Sequence, residues 1–240
     1  MGAYTVKLRN RKEVAQETMA FFFEKPAGFV YAGGQSVDFT LIDPPQTDAE
    51  GNTRTFSIAG APREPHLMVA TRMRDTAFKR VFKTMPPGTE VKMEGPFGSM
   101  TLHRKAAHPA VLLAGGIGIT PFRSMLYQAI EAHTGHRLFL FYSNRRPEDA
   151  PFLAELQELS KEHANFTLIA TMTDLEKSKI PWDGERGLIN KAMLVKFLGE
   201  LAGPIYYIAG PPALVAGMRT MLNEAGVDED DLRSEDFSGY

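Results

Sequence analysis

The apolar positions change rhythm once along this chain. Up to about residue 100 they come in short runs: YTVKLRN (4–10), ETMAFFFEKP (17–26), QSVDFTLID (35–43), TRTFSIAG (53–60), HLMVATRM (66–73) and TEVKMEGPFG (89–98). Runs of this length, bounded by Gly, Pro, Asn and Asp, predict β-strands. PAGF, AGGQ, DPPQTDAEGN and MPPG supply turns, and GPFG (95–98) reads as another. Six short strands at this spacing predict a small antiparallel barrel or sandwich. One helix interrupts them: Thr76 suits an N-cap, AFKRVFKTM follows, and Pro86-Pro87 ends it.

From about residue 105 a strand pattern alternates with a helical one. AVLLAG precedes PFRSMLYQAIEA, and RLFLFYS precedes APFLAELQELSKEH. FTLIATMT precedes NKAMLVKFLGELA, and PIYYIAG precedes PALVAGMRTMLNEAG. Repeated strand–helix order predicts a parallel sheet covered by helices. The expected fold is therefore two-domain: an N-terminal antiparallel β-barrel over residues 1–104 and a C-terminal α/β parallel-sheet domain over 105–240. A chain of 240 residues is long enough for both.

Composition narrows the function classes. The chain is 43% apolar and 23% charged, as soluble globular proteins are, and its formal net charge of −2 gives no bulk attraction to nucleic acid. It has no cysteine, which excludes disulfides, thiolate nucleophiles and Cys-ligated clusters in this chain. No apolar run approaches the ~20 residues of a membrane span, and the N-terminus lacks the pattern of a secretory signal, so a cytoplasmic location is expected. Charge is unevenly placed. The first 105 residues carry 15 Lys and Arg against 11 Asp and Glu; the rest carry 12 against 18. His133 and His136 have no third ligand in view, and no metal site is expected.

The stretch LLAGGIGITPF (112–122) carries the clearest chemistry. A buried strand runs into Gly115, Gly116 and Gly118, where the backbone can turn tightly and approach a ligand. Thr120 suits the cap of the following helix and Pro121 its first position. The N-terminus of such a helix attracts a diphosphate. The usual dinucleotide pattern would place a third glycine at Pro121 and an acid some ~20 residues on, and strand two ends FYSNRRP without that acid. By itself the loop is either a nucleotide loop of another kind or a tight turn with no ligand. Arg54 and Phe56 share one face of RTFS (54–57), either to hold a phosphate and cover a flat heterocycle or as an ordinary strand pair. AGPP (209–212) makes a second loop at a strand's carboxyl end.

Taken in order, R-T-F-S, G-P-F-G, G-G-I-G-I-T-P, A-G-P-P and the terminal E-D-F-S-G-Y resemble the ferredoxin–NADP reductase superfamily over essentially the whole chain. The resemblance implies an FAD-binding barrel followed by a pyridine-nucleotide domain, and a reductase that passes electrons from NADH or NADPH through FAD to a separate one-electron carrier. It implies that Arg54 pairs with the FAD diphosphate, Phe56 lies against the flavin, and Ser57 hydrogen-bonds near its N5. Thr55 belongs to the same motif, Val69, Ala70, Thr71 and Arg72 form the next flavin strand, and Thr76 sits under the FAD phosphates. Gly115, Gly116, Gly118, Thr120 and Pro121 would hold the nucleotide diphosphate, and Gly210 and Pro211 would border the nicotinamide. Ser57, Glu235 and Phe237 are the expected catalytic residues, with Phe237 or Tyr240 covering the flavin.

Two positions depart from that pattern. Many relatives carry Cys where this chain has Ala209, which leaves positioning there to shape. NADP-preferring relatives place a Ser–Arg pair where this chain reads ATMTDLEKSK, with Asp174 and Glu176. A carboxylate repels a 2′-phosphate, so NADH is the expected donor, although Arg145, Arg146, Lys177 or Lys179 offers a phosphate partner. The expected protein partner is an acidic electron carrier, a ferredoxin, flavodoxin or oxygenase component, docking on Arg72, Arg74, Lys79, Arg80 and Lys83; those residues also fit a solvated face. Two other functions remain open: a free-flavin reductase of the diaphorase kind, and a non-catalytic nucleotide-binding subunit.

Overall fold

A computed structural model describes residues 2–237. The chain gathers into two compact units. One comprises residues up to 101 together with Thr120–Gln128; the other comprises Leu102–Ile119 and the residues from 129 on.

The first unit is an antiparallel barrel. Its strands are β1 (Gly2–Ala15), β2 (Thr18–Glu24), β3 (Ser36–Leu41), β4 (Thr53–Ser57), β5 (His66–Arg72) and β6 (Glu90–Phe97), paired in the order β4-β3-β6-β1-β2-β5. The two outer strands meet just past β4, where Ile58 bridges Val69 and the Ala59 N–H donates to the Met68 carbonyl at 2.8 Å. That seam closes the sheet and leaves no exposed edge there. Helix α1 (Ala77–Thr84) carries Phe78 and Phe82 into the barrel. Phe82 lies 4.2 Å from Phe21, 5.7 Å from Phe56 and 5.8 Å from Phe23, ring centre to ring centre. Each fully buried aromatic of this kind stabilises the fold by roughly 1.5–3 kcal/mol, so the rings and α1 hold one another in place. GPFG differs from its expected turn: β6 continues through Phe97, paired to Ser36 of β3 across a register shift.

The second unit is a parallel sheet of β7 (Ala110–Gly115), β8 (Leu138–Asn144), β9 (Phe166–Met172), β10 (Glu185–Arg186), β11 (Ile205–Gly210) and β12 (Leu232–Asp236), ordered β10-β9-β8-β7-β11-β12. Helix α2 (Ile119–Glu131) starts and ends in this unit, while its residues Thr120–Gln128 group with the first; the other helices here are α3 (Leu153–Glu162), α4 (Lys191–Leu198) and α5 (Pro212–Glu224). Every residue of β7, β8 and β11 is buried, as unbroken apolar runs in a parallel sheet should be. From β7 the chain steps to β8 and β9 on one side, and β11 lies on the other. The order therefore reverses at β7, the place where open α/β sheets bind ligands.

Strands β10 and β12 carry too few apolar residues to predict. β12 reads LRSED and forms because the free hydrogen-bonding edge of buried β11 accepts any backbone, from Tyr206↔Leu232 to Gly210↔Asp236. Among the described residues no helix is long and apolar enough to cross a membrane.

Candidate functional site

In the barrel, the seam brings the two expected flavin segments together. Arg54–Ser57 form most of β4, and Val69–Arg72 end β5 beside it. Arg54 and Phe56 share a face, since both reach Phe78: the guanidinium stands 5.3 Å from that ring and the Phe56 ring 5.9 Å. Phe56 is 7% exposed and Val69 is fully buried, so both side chains belong to the barrel core. Thr55 donates to Asp38 Oδ1 at 2.5 Å. The Ser57 side chain is buried at the end of β4.

Thr76 is the N-cap of α1, its hydroxyl accepting from the Lys79 N–H at 3.3 Å. The next free donor of that turn, the Ala77 N–H, is taken by Asp48 Oδ2 at 2.8 Å. Asp48 belongs to the β3–β4 loop and also lies 3.5 Å from Arg54. Glu50 of the same loop binds Arg54 Nη2 at 2.7 Å, while Arg54 Nη1 donates to the carbonyls of Glu50 and Thr53. The Ala77 N–H holds the Asp48 carboxyl below the usual range; the Glu50 N–H, Arg54 and Arg80 act the same way against the opposing effect of burial. Lys79 is pulled down to about 8 by burial and by the neighbouring cations Arg74 and Arg54. This corner of the barrel is an anion seat. A guanidinium and a helix N-terminus converge on it, and a carboxylate sits where they meet. A diphosphate has the charge and oxygen count to fit such a seat.

In the parallel-sheet unit the two glycine loops interlock. A Cβ at Gly118 would stand 2.2 Å from the Ala209 carbonyl oxygen, and one at Gly210 would stand 3.0 Å from the Gly115 carbonyl oxygen. The glycines are thus required for the loops to pass each other. The expected cap at Thr120 is corrected: Gly116–Gly118 form a 3₁₀ turn that runs directly into α2 at Ile119. Thr120 and Pro121 therefore lie inside the first turn, because the turn starts the helix earlier than the threonine signal suggests.

Pro211 precedes α5 and Gly210 ends β11, so both sit at the carboxyl edge of the sheet. The Phe237 N–H donates to the Gly210 carbonyl at 3.0 Å, and Glu235 pairs with Ala209 in the β11–β12 register. Burial raises the Glu235 carboxyl above its ordinary value. Tyr240 lies outside the described residues.

The cations named for a 2′-phosphate are mostly engaged. Arg146 forms a bidentate pair with buried Asp149 at 2.8 and 2.9 Å, and Lys177 pairs with Asp174 at 2.8 Å. Arg145 stays exposed at the end of β8. Next to it lies a residue the sequence reading passed over. Asn144 is 5% exposed, and neither polar atom of its side chain has a partner among the described residues. A buried amide without partners costs ~1–3 kcal/mol and calls for an explanation. The signal was an amide in place of the acid expected at the end of the second strand. Interlocked glycine loops and an orphaned amide at the carboxyl edge fit a nucleotide.

Comparison with known proteins agrees with this geometry. Residues 112–220 match the oxidoreductase NAD-binding domain family. The chain is 26% identical over 223 residues to the glycine betaine monooxygenase reductase subunit of Chromohalobacter salexigens, covering 92% of this chain and 60% of that one. It is 26% identical over 212 residues to the reductase component of phenol 2-monooxygenase from a Pseudomonas species, covering 86% and 58%. The chain thus spans about three fifths of the length of these curated relatives. Its fold superimposes on a ferredoxin–NADP⁺ reductase from Neisseria gonorrhoeae, solved with bound FAD and NADP, with a TM-score of 0.81 at 20% identity over 98% of both chains. The Amycolatopsis cytochrome P450 reductase GcoB gives 0.82 at 20% identity, over 98% of this chain and 70% of that one. Residues 112–220 thus match an oxidoreductase NAD-binding domain, and over almost its whole length the chain has the fold of the ferredoxin–NADP⁺ reductase.

Proposed function

We propose that this chain is the reductase of an electron-transfer pair, taking a hydride from NADH and delivering single electrons through a flavin to a separate acidic carrier. The observation that supports this most directly is that one chain carries both seats: the anion seat at Arg54 and α1, and the interlocked Gly115–Gly118 and Ala209–Pro211 loops. A bound FAD would supply the conversion from two-electron to one-electron transfer, a hydride's two electrons leaving singly for the carrier and its proton for solvent.

Each residue then has a positional task. Arg54 and the N-terminal turn of α1 hold the flavin's diphosphate, and Val69–Arg72 offer backbone to its ring. Ser57, at the end of β4, is the hydrogen-bonding partner near N5. Gly115, Gly116 and Gly118 let the nucleotide diphosphate approach the start of α2, with Thr120 and Pro121 in that first turn. Gly210 and Pro211 limit where the nicotinamide sits, and Phe237, tied to Gly210, is its aromatic neighbour. Glu235, with its raised affinity for a proton, is suited to hold one beside the nicotinamide. NADH is the favoured donor because Asp174 lies beyond β9 while Arg146 and Lys177 are paired. The carrier docks on the basic barrel surface that includes Arg72, Arg74 and Lys83.

The decisive experiment is an anaerobic visible spectrum of the flavin-loaded protein before and after NADH, with NADPH in a separate sample. Rapid bleaching by NADH, slower by NADPH, is expected. Flavin that neither nucleotide bleaches would replace this reading with a non-catalytic nucleotide-binding subunit.

A second reading has its own support. The donors of Arg54 are taken up by Glu50 and by backbone carbonyls. A protein that treats flavin as a leaving substrate needs no grip on the adenosine half. Gel filtration of the loaded protein separates the two: bound flavin co-elutes with a reductase of the first kind and is lost from the second.

A further inference from the structure

The β3–β4 loop does more at the anion seat than fill space. Asp48 accepts the Ala77 N–H at the start of α1, and Glu50 holds one arm of Arg54. The loop is braced for this. The Glu50 N–H donates back to Asp48 Oδ1 at 3.0 Å, the Gly51 N–H donates to the Asp48 carbonyl at 3.0 Å, and Arg80 Nε donates to Gln46 at 3.0 Å. Two carboxylates of the chain therefore stand on the same donors that a diphosphate would use. Elsewhere the loop is lightly held: the Glu50 side chain is 67% exposed, and nothing lies within 4 Å of the position a Cβ would take on Gly51. Such a segment can leave without disturbing the barrel core.

We infer that Asp48 and Glu50 determine which flavin this chain prefers: FAD enters its seat by displacing them, so the two acids weigh against a diphosphate and leave the affinity for a flavin without one unchanged. This rests on the flavin reading above and deepens it. The physical argument is competition for one set of donors. A ligand whose site is open only part of the time binds more weakly by that fraction. With the clasp closed most of the time, FAD loses about tenfold in affinity. Riboflavin, which ends at the ribityl hydroxyl, does not reach the seat. Losing charge at Asp48 need not cost the helix its cap, because the cap is Thr76 and the amide oxygen of an asparagine can still accept the Ala77 N–H.

The test titrates FAD and riboflavin separately into flavin-free protein, following quenching of flavin fluorescence. The variants are Asp48→Asn alone, Asp48→Asn with Glu50→Gln, and that pair with Arg54→Gln added. The double variant is expected to bind FAD about tenfold more tightly than the unaltered protein, with riboflavin affinity the same within about twofold. Adding Arg54→Gln is expected to abolish the gain. Should the double variant fail to fold, Asp48→Asn alone is expected to show part of the gain. FAD affinity that stays the same or falls would overturn the inference, as would equal tightening of both flavins. If neither flavin binds any of the proteins, the flavin reading itself fails; if both bind and the acids make no difference, only the inference fails.

Discussion

The backbone of Gly118 runs so close to Ala209 that a methyl group on it would stand 2.2 Å from the Ala209 carbonyl oxygen. The obstacle is backbone, and backbone at the end of a buried strand cannot move aside cheaply. Gly118→Ala should lower stability by about 2–3 kcal/mol and open the two loops. Urea unfolding should show the loss, and NADH titration a raised Kd. Riboflavin binding by the barrel should persist in the same protein. An unchanged urea midpoint would mean that the loops do not depend on this contact.

Arg123 provides a separate stability test. Its side chain is 8% exposed, pairs with Glu64 at 3.0 Å and donates to the Ala59 carbonyl at 2.9 Å. Removing one partner of a buried pair leaves the other uncompensated. Arg123→Ala should cost about 3 kcal/mol, since it also removes the donor to the Ala59 carbonyl, while Glu64→Gln, whose amide oxygen can still accept from Arg123, should cost roughly 1 kcal/mol. Equal costs in urea unfolding would show that the charge pair, not the bond to Ala59, is what Arg123 contributes.

Lys79 sets an expected pH dependence. It loses its proton at about 8 in the folded protein against an ordinary 10.5, because burial comes first and Arg74 and Arg54 add to it, with Glu50 opposing. The unfolded chain holds that proton more tightly. The penalty is present in full below pH 8, shrinks between about 8 and 10.5, and is gone above, so this group makes stability rise with pH in that window. FAD binding should move the other way. A protonated Lys79 beside the anion seat attracts diphosphate, so FAD affinity should fall as pH rises through 8. Riboflavin affinity should stay flat, and Lys79→Met should remove the slope for FAD.

Asn144 should behave as a residue kept for binding at some expense to stability. Replacing its orphaned amide with leucine, of similar size, should raise stability by about 1 kcal/mol or more. The same Asn144→Leu protein should have a higher KM for NADH. A more stable protein with unchanged NADH kinetics would show that the amide does not meet the nucleotide.

Asp174 should set the choice of nucleotide. Asp174→Ser removes a negative charge beyond β9 and frees Lys177 from its partner. The ratio of kcat/KM for NADPH to that for NADH should rise about tenfold, roughly the effect of 1.4 kcal/mol. Adding Arg145→Ala should reverse most of the gain, since Arg145 is the exposed cation at the end of β8.

The strands and turns that carry the candidate residues were legible in the order of motifs. RTFS, VATR and the two glycine loops are local segments, and each forms the strand or turn its residues favour. Other features depended on partners far along the chain. β12 reads LRSED and has no strand pattern; it exists because β11 offers a free edge. The strand pattern alone leaves Phe56 free to cover a heterocycle; the fold encloses it between Phe78 and Phe82 in the barrel. Thr120 carried a cap signal, and the 3₁₀ turn at Gly116–Gly118 overrode it.

By itself the sequence determined the elements, their order and the two layer types, because strand and helix periodicities and turn residues act over a few positions. It also determined which loops can pass close to one another, since only glycine leaves that room. Only the tertiary structure decided that Asp48 and Glu50, carried on a polar loop, stand on the donors of Arg54 and α1. It alone placed the Asn144 amide in a buried setting with nothing to bind. Both outcomes depend on three-dimensional proximity and burial, and a one-dimensional pattern of residues carries neither.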